Sequence, residues 1–166
     1  MQPLPHHYSV TAISSGEGDV PLSSDRLPSL VSAPPAEYGG PGDRWSPETL
    51  LVAAVADCFI LTFRGIARAS KLPWSEIRCD VEGTLDRVEG VTQFTGFLVR
   101  ASLEVPAGTN EEMARRVLQR AEDSCLIVNS LRGASQLVVS IAVNDQREAA
   151  GAALSTERVA APQASQ

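Results

Sequence analysis

Between Leu50 and Phe63 the chain carries almost nothing polar: Leu50, Leu51, Val52, Ala53, Ala54, Val55, Ala56, Phe59, Ile60, Leu61 and Phe63 are interrupted only by Asp57, Cys58 and Thr62. A helix with that pattern has no solvent face and must be covered all round by other elements. Ser46-Pro47-Glu48 supplies its start: Ser caps, Pro is pre-set for the first helical position, and Glu suits the positive end of the dipole. Arg64, Arg68, Ser70 and Lys71 return the chain to water, and Pro73 prevents continuation. The apolar run itself, broken by Asp57 and Thr62, falls short of a membrane span.

Elsewhere the period is two. Ile77, Cys79, Val81 and Leu85 alternate with Arg78, Asp80, Glu82, Thr84 and Asp86, and Phe97, Val99, Ala101, Leu103 and Val105 alternate in the same way. Each reads as a half-buried strand, with Glu89-Gly90 as the turn of an antiparallel hairpin. Thr109 with Glu112 forms a capping box that opens a second helix, whose apolar stripe runs Met113, Val117, Ala121 with Leu118 beside it; four residues further along lies Cys125. Leu137, Val139, Ile141 and Val143 make a last strand. Before the central helix, Tyr8 to Ile13 and the Gly16-Glu17-Gly18-Asp19 turn suggest a hairpin, and Leu27 to Ala33 an edge strand, because Pro28 cannot donate to a ladder. Pro34 to Trp45 holds three prolines and three glycines and is a loop. Residues 145–166 carry few large apolar groups and are expected to be a disordered Ala/Ser/Gln-rich tail after a single domain, 1–144.

Composition narrows the function. The 166 residues include 43% hydrophobic and 20% charged, enough for one packed core. Twenty acidic against fourteen basic residues give a net charge of −6, which argues against nucleic acid and anionic membrane surfaces as partners. The first thirty residues hold no apolar targeting segment, and the chain reads as cytoplasmic. Three cysteines do not make a secreted disulfide framework, and their wide spacing, with His6 and His7 near the terminus, does not fit a zinc site. Cys79 reads as strand filler. Cys58 alone reads as a small core hydrophobe, too far from the helix N-terminus for the dipole to activate it. Cys125 changes the balance, because the second helix's periodicity turns it toward the core, where two thiols can meet.

The run Ser46-Pro47-Glu48-Thr49-Leu50 through Ala56-Asp57-Cys58-Phe59, together with Cys125 within Glu122-Asp123-Ser124-Cys125-Leu126, resembles the OsmC/Ohr family, the osmotically inducible and organic hydroperoxide resistance proteins. The resemblance implies an α+β fold in which antiparallel sheets wrap two central helices of an intertwined homodimer. It also implies a cysteine-based peroxidase acting on organic hydroperoxides, with Cys58 as the attacking thiol and Cys125 as its resolving partner. The substrate site would be an apolar pocket at the subunit interface, and an external dithiol of lipoyl or thioredoxin type would restore both thiols, with no cofactor or metal. Glu48 precedes Cys58 by ten residues, about 15 Å of helix rise, so it would act on the partner's thiol by holding an arginine beside it. The chain departs from the family in two places. Asp57 stands where a small residue is common, and the turn at Gly16–Asp19 lacks the activating arginine, for which Arg26 and Arg44 are the candidates. The competing reading is a non-catalytic dimer that binds a small apolar ligand and keeps its core cysteines reduced.

Overall fold

The computed structural model describes residues 3–144; the expected tail lies outside them. The chain divides into two compact units, Met1–Ala54 and Val55–Gln166.

In the first unit, β1 (Thr11–Ala12), β2 (Val20–Ser23) and β3 (Leu30–Ser32) form an antiparallel sheet in that order. The expected hairpin and edge strand are both present, but much shortened. The central β2 contains Pro21, which joins the ladder only through its carbonyl, accepting from the Ile13 N–H at 3.3 Å. The loop that follows is closed at its ends by the Ala33 N–H donating to the Trp45 carbonyl at 2.9 Å. Inside it, the chain turns so tightly that a Cβ on Gly40 would fall 1.6 Å from the Pro34 carbonyl oxygen, so no other residue fits there.

α1 (Pro47–Ala69) starts as expected. The Thr49 N–H donates to Ser46 Oγ at 3.2 Å, and the Ser46 N–H donates to Thr49 Oγ1 at 2.8 Å, a reciprocal cap with Thr in the place usually held by Glu. At the other end the Leu72 N–H donates to the Ala67 carbonyl at 3.0 Å and the Lys71 N–H to the Arg68 carbonyl at 3.2 Å. These two bonds make a Schellman motif, with buried Leu72 as its apolar contact. Within one chain only a single stripe of α1 is fully covered, namely Val55, Phe59, Phe63 and Ala67, and Leu61 remains 53% exposed. At 23 residues the helix is long and apolar enough to cross a bilayer, which corrects the expectation from the shorter run; a core helix satisfies the same criterion, and that stripe is core.

The second unit holds a sheet ordered β4-β5-β6, from Glu76–Val88, Val91–Pro106 and Ala134–Asn144. β4 and β5 pair antiparallel through a two-residue turn, where Glu89 (φ 52°) and Gly90 (φ 84°) both take the left-handed conformation that suits a twisted hairpin. β6 runs parallel to β5, which corrects the expectation of purely antiparallel sheets. The reason is the connection: α2 (Glu111–Asp123) and α3 (Leu126–Asn129) carry the chain back along β5 before β6 begins, the kind of crossover that parallel neighbours need.

The cap of α2 is Asn110, whose side chain accepts from the Met113 N–H at 2.9 Å. Thr109, expected in that place, instead donates its hydroxyl to the Pro106 carbonyl at 2.7 Å. Phe97, Val99, Ala101, Leu103 and Val105 of β5 are buried in the unit's core, as are Ala114, Val117, Leu118 and Ala121 of α2.

Candidate active site

Cys58 lies in the middle of α1, half-buried, with its Sγ 4.0 Å from Thr62 Oγ1 one turn further on. Asp57 beside it faces solvent. A hydroxyl at that position can donate to a sulfur that bears charge.

Cys125 is reached differently from the sequence expectation. α2 stops at Asp123, and Cys125 is not its last inward residue but the extended residue (φ −68°, ψ 110°) that opens α3. The break still turns the thiol inward, and Cys125 is 0% exposed. Its N–H donates to the Glu122 carbonyl at 3.0 Å, and its carbonyl accepts from the Asn129 N–H at 3.0 Å, so the backbone on both sides is held.

Burial pushes the Cys125 thiol up to about 11; the Val128 amide opposes that rise, and Cys58 adds to it. The two thiols that the sequence placed on separate helices are therefore within electrostatic range of one another. Cys79 on β4 is also raised to about 11, by burial first, then by Asp80 and by Cys125. It lies on β4 within electrostatic range of Cys125. All three cysteines are free.

Glu122 was missed from the sequence. It is buried, accepts from Ser135 Oγ at 2.7 Å and from Gln119 Nε2 at 3.3 Å, and so straps the end of α2 to β6 next to Cys125. A carboxylate on the apolar stripe beside Ala121 is the signal that could have found it.

Glu48, the other expected site residue, lies in the first turn of α1. Its Oε2 is buried without a hydrogen-bond partner among the described residues. It lines a cavity of about 550 Å³ whose walls include Ala12, Val20, Leu22, Tyr38 and Leu50. Neither candidate arginine reaches it. Arg26 pairs with Asp25 at 3.1 Å, its side chain 90% exposed, and Arg44 pairs with Asp19 at 3.2 Å and Asp43 at 3.0 Å. Among the described residues no group of three or more His, Cys, Asp or Glu is placed to hold a metal ion.

The comparisons with known proteins point the same way as the cysteine pair. The family model for OsmC-like protein matches residues 40–140. The uncharacterized protein YmaD of Bacillus subtilis (strain 168) is 27% identical over 143 residues, which cover 83% of this chain and 95% of YmaD. Among solved structures, an organic hydroperoxide resistance protein OsmC from Legionella pneumophila superposes with a TM-score of 0.67 at 26% identity, covering 85% of this chain and 100% of its own. An OsmC like protein from Mycoplasma pneumoniae does so with a TM-score of 0.69 at 16% identity, covering 84% and 99%.

Proposed function

Because the chain belongs to the OsmC-like protein family, we propose that it is a cysteine peroxidase that reduces organic hydroperoxides. The observation that carries this reading is the pairing of Cys58, half-open on a helix face, with Cys125, a buried thiol whose proton Cys58 helps to hold. In the first step the Cys58 thiolate attacks the distal oxygen of the O–O bond. The bond breaks, the alcohol leaves with a proton, and sulfur is oxidised to the sulfenic acid. Cys125 then attacks that sulfur, forming the disulfide and releasing water from the sulfenic hydroxyl and the thiol proton. An external dithiol returns both sulfurs to the reduced state. Chemistry confined to sulfur needs no cofactor, and three free thiols suit a reducing, cytoplasmic setting.

The working unit in this reading is an obligate homodimer. Leu61 and its neighbours on α1 are left open in one chain, and a second copy offers the cover that an all-apolar helix calls for. Across such a dimer, Glu48 of one subunit would serve the thiol of the other. Sedimentation at micromolar concentration checks this: a folded monomer of 17.6 kDa would overturn it. Thiol titration before and after one equivalent of cumene hydroperoxide tests the activity. Rapid loss of two thiols per chain is the expected result, and unchanged thiols would refute it.

A second reading has one specific observation in its favour. The Glu48 carboxylate lines an apolar cavity, its Oε2 without a hydrogen-bond partner among the described residues, which also suits a dimer that binds a small apolar ligand and keeps its cysteines reduced. The same titration separates the two.

A further inference from the structure

Among the described residues Glu122 is the only charged side chain that is buried, at 9% exposed. It stands on the inward stripe of α2 with Ala114, Val117, Leu118 and Ala121, where an apolar residue would pack with nothing to satisfy. Taking a carboxylate out of water is costly unless it is paired or well hydrogen-bonded. No Lys, Arg or His of the described residues pairs with it. Each oxygen instead has its own neutral donor: Oε1 the Ser135 hydroxyl at 2.7 Å, and Oε2 the Gln119 side-chain amide at 3.3 Å. The bond to Ser135 is short, as hydrogen bonds to a charged acceptor are.

That bond spans thirteen residues and closes the whole return from α2 to β6 into a loop. Its far end is fixed, because Ser135 lies opposite Phe97 in the parallel ladder of β5 and β6, and Phe97 is core. Its near end leads straight to a thiol, since the Glu122 carbonyl accepts from the Cys125 N–H at 3.0 Å. One residue therefore ties β6 with its side chain and Cys125 with its backbone. Asn129 completes the turn, its side chain donating to the Asp123 carbonyl and its N–H to the Cys125 carbonyl, both at 3.0 Å. α3 is only four residues long. A helix that short has no stability of its own, so the direction of the Cys125 side chain rests on these bonds.

We propose that Glu122 is the positioning residue of the second step: anchored on Ser135, it fixes the turn that presents Cys125 to the sulfenic acid on Cys58. This role rests on the peroxidase reading and deepens it. In that step the Cys125 sulfur attacks the Cys58 sulfur. The S–S bond forms as the S–O bond breaks, and the hydroxyl leaves with the thiol proton as water. Glu122 acts through the backbone of Cys125 and governs how well the two sulfurs are aligned. Alignment matters steeply, since a misplacement of about 1 Å can cost on the order of a hundredfold in rate.

The test follows one turnover of the full, reduced chain with one equivalent of cumene hydroperoxide. Dimedone trapping reads the sulfenic acid on Cys58, and peptide mass spectrometry of quenched samples reads the Cys58–Cys125 disulfide. Ser135→Ala deletes the anchor with little change in volume. It should leave sulfenic acid formation within about twofold of wild type and slow disulfide formation roughly tenfold. The stalled sulfenic acid should then over-oxidise to sulfinic acid at a hydroperoxide excess that the wild type survives. Glu122→Ala should act in the same way and more strongly, whereas Glu122→Gln, which still offers Ser135 an acceptor, should recover most of the rate. A merely structural role would lower the thermal midpoint of Ser135→Ala while leaving the ratio of the two steps unchanged, and that result would overturn the proposal. Both steps slowing together would do the same. Glu122→Gln as slow as Glu122→Ala would replace the strap by a role for the charge itself. A wild type that loses no thiols would remove the peroxidase reading and this role with it; normal disulfide formation in wild type and in Ser135→Ala alike would remove only the role of Glu122.

Discussion

The middle of α1 and the junction between α2 and α3 each present one thiol, and they present it in opposite ways. Cys58 sits in unbroken helix, half-open, with a hydroxyl one turn away. Cys125 sits where a helix has stopped, sealed from solvent, with burial holding its proton on to about pH 11. Side chains on a regular helix are displayed on a face, whereas a residue at a break can be turned inward and fixed by its neighbours. Under the proposed peroxidase function the difference would order the chemistry: an open thiol can meet a peroxide, and a buried, protonated one is suited to wait for an oxidised sulfur.

The sharpest way to break this comparison is to exchange the open thiol. Cys58→Ser should reduce peroxide turnover to the uncatalysed background, while Cys79→Ser leaves it nearly intact. Equal losses in a coupled peroxidase assay would dissolve the distinction between the sites. Next in size is Cys125→Ser. Its single-turnover reaction with peroxide should persist, but steady-state turnover with a dithiol should fall steeply and Cys58 should over-oxidise to sulfinic acid. Peptide mass spectrometry of peroxide-treated wild type should find a Cys58–Cys125 disulfide within one chain. A link between subunits or one to Cys79 would reassign the resolving role.

The buried thiol also predicts how stability responds to pH. Folding holds Cys125 protonated up to about 11 against an ordinary value near 9, so the unfolded chain ionises first. Its contribution is complete below about pH 9 and is lost as pH rises toward 11. At about 1.4 kcal/mol per pH unit this amounts to roughly 2–3 kcal/mol. Urea unfolding of reduced protein should lose stability over that window, and Cys125→Ser should remove about half of the loss, because Cys79, raised to the same value, keeps the rest; an unchanged slope would mean that burial does not hold the Cys125 proton. Lys71→Gly gives the smallest effect, a gain of up to about 1 kcal/mol from removing left-handed strain at φ 53°, read in the same unfolding experiment. No gain would mean that Lys71 makes contacts that offset its backbone cost.

Much of this was legible before any coordinates. Period-two alternation located β4, β5 and β6, and the Ser46-Pro47 signal marked the start of α1 within a residue, because those features are local and repeat along the chain. The family resemblance, carried by the stretch from Ser46 to Phe59 and by Cys125, pointed to the two thiols. Local pattern failed where a single residue had alternatives. Asn110 and Thr109 can both cap, and position alone decided between them. Pro21 sits in the central strand β2 although it cannot donate, because its carbonyl is enough for the ladder.

By itself, then, the sequence determined the elements and the hydrophobic faces and marked Cys58 and Cys125 as the candidate pair, since each rests on periodicity or on a short contiguous motif. Only the tertiary structure decided that β6 runs parallel to β5, that Cys125 opens α3 rather than closing α2, and that Glu122 lies buried beside it. It alone also decided that Oε2 of Glu48 is buried without a hydrogen-bond partner among the described residues. These depend on which way the chain returns and what it meets there, and such contacts between distant residues leave no periodic trace in a single sequence.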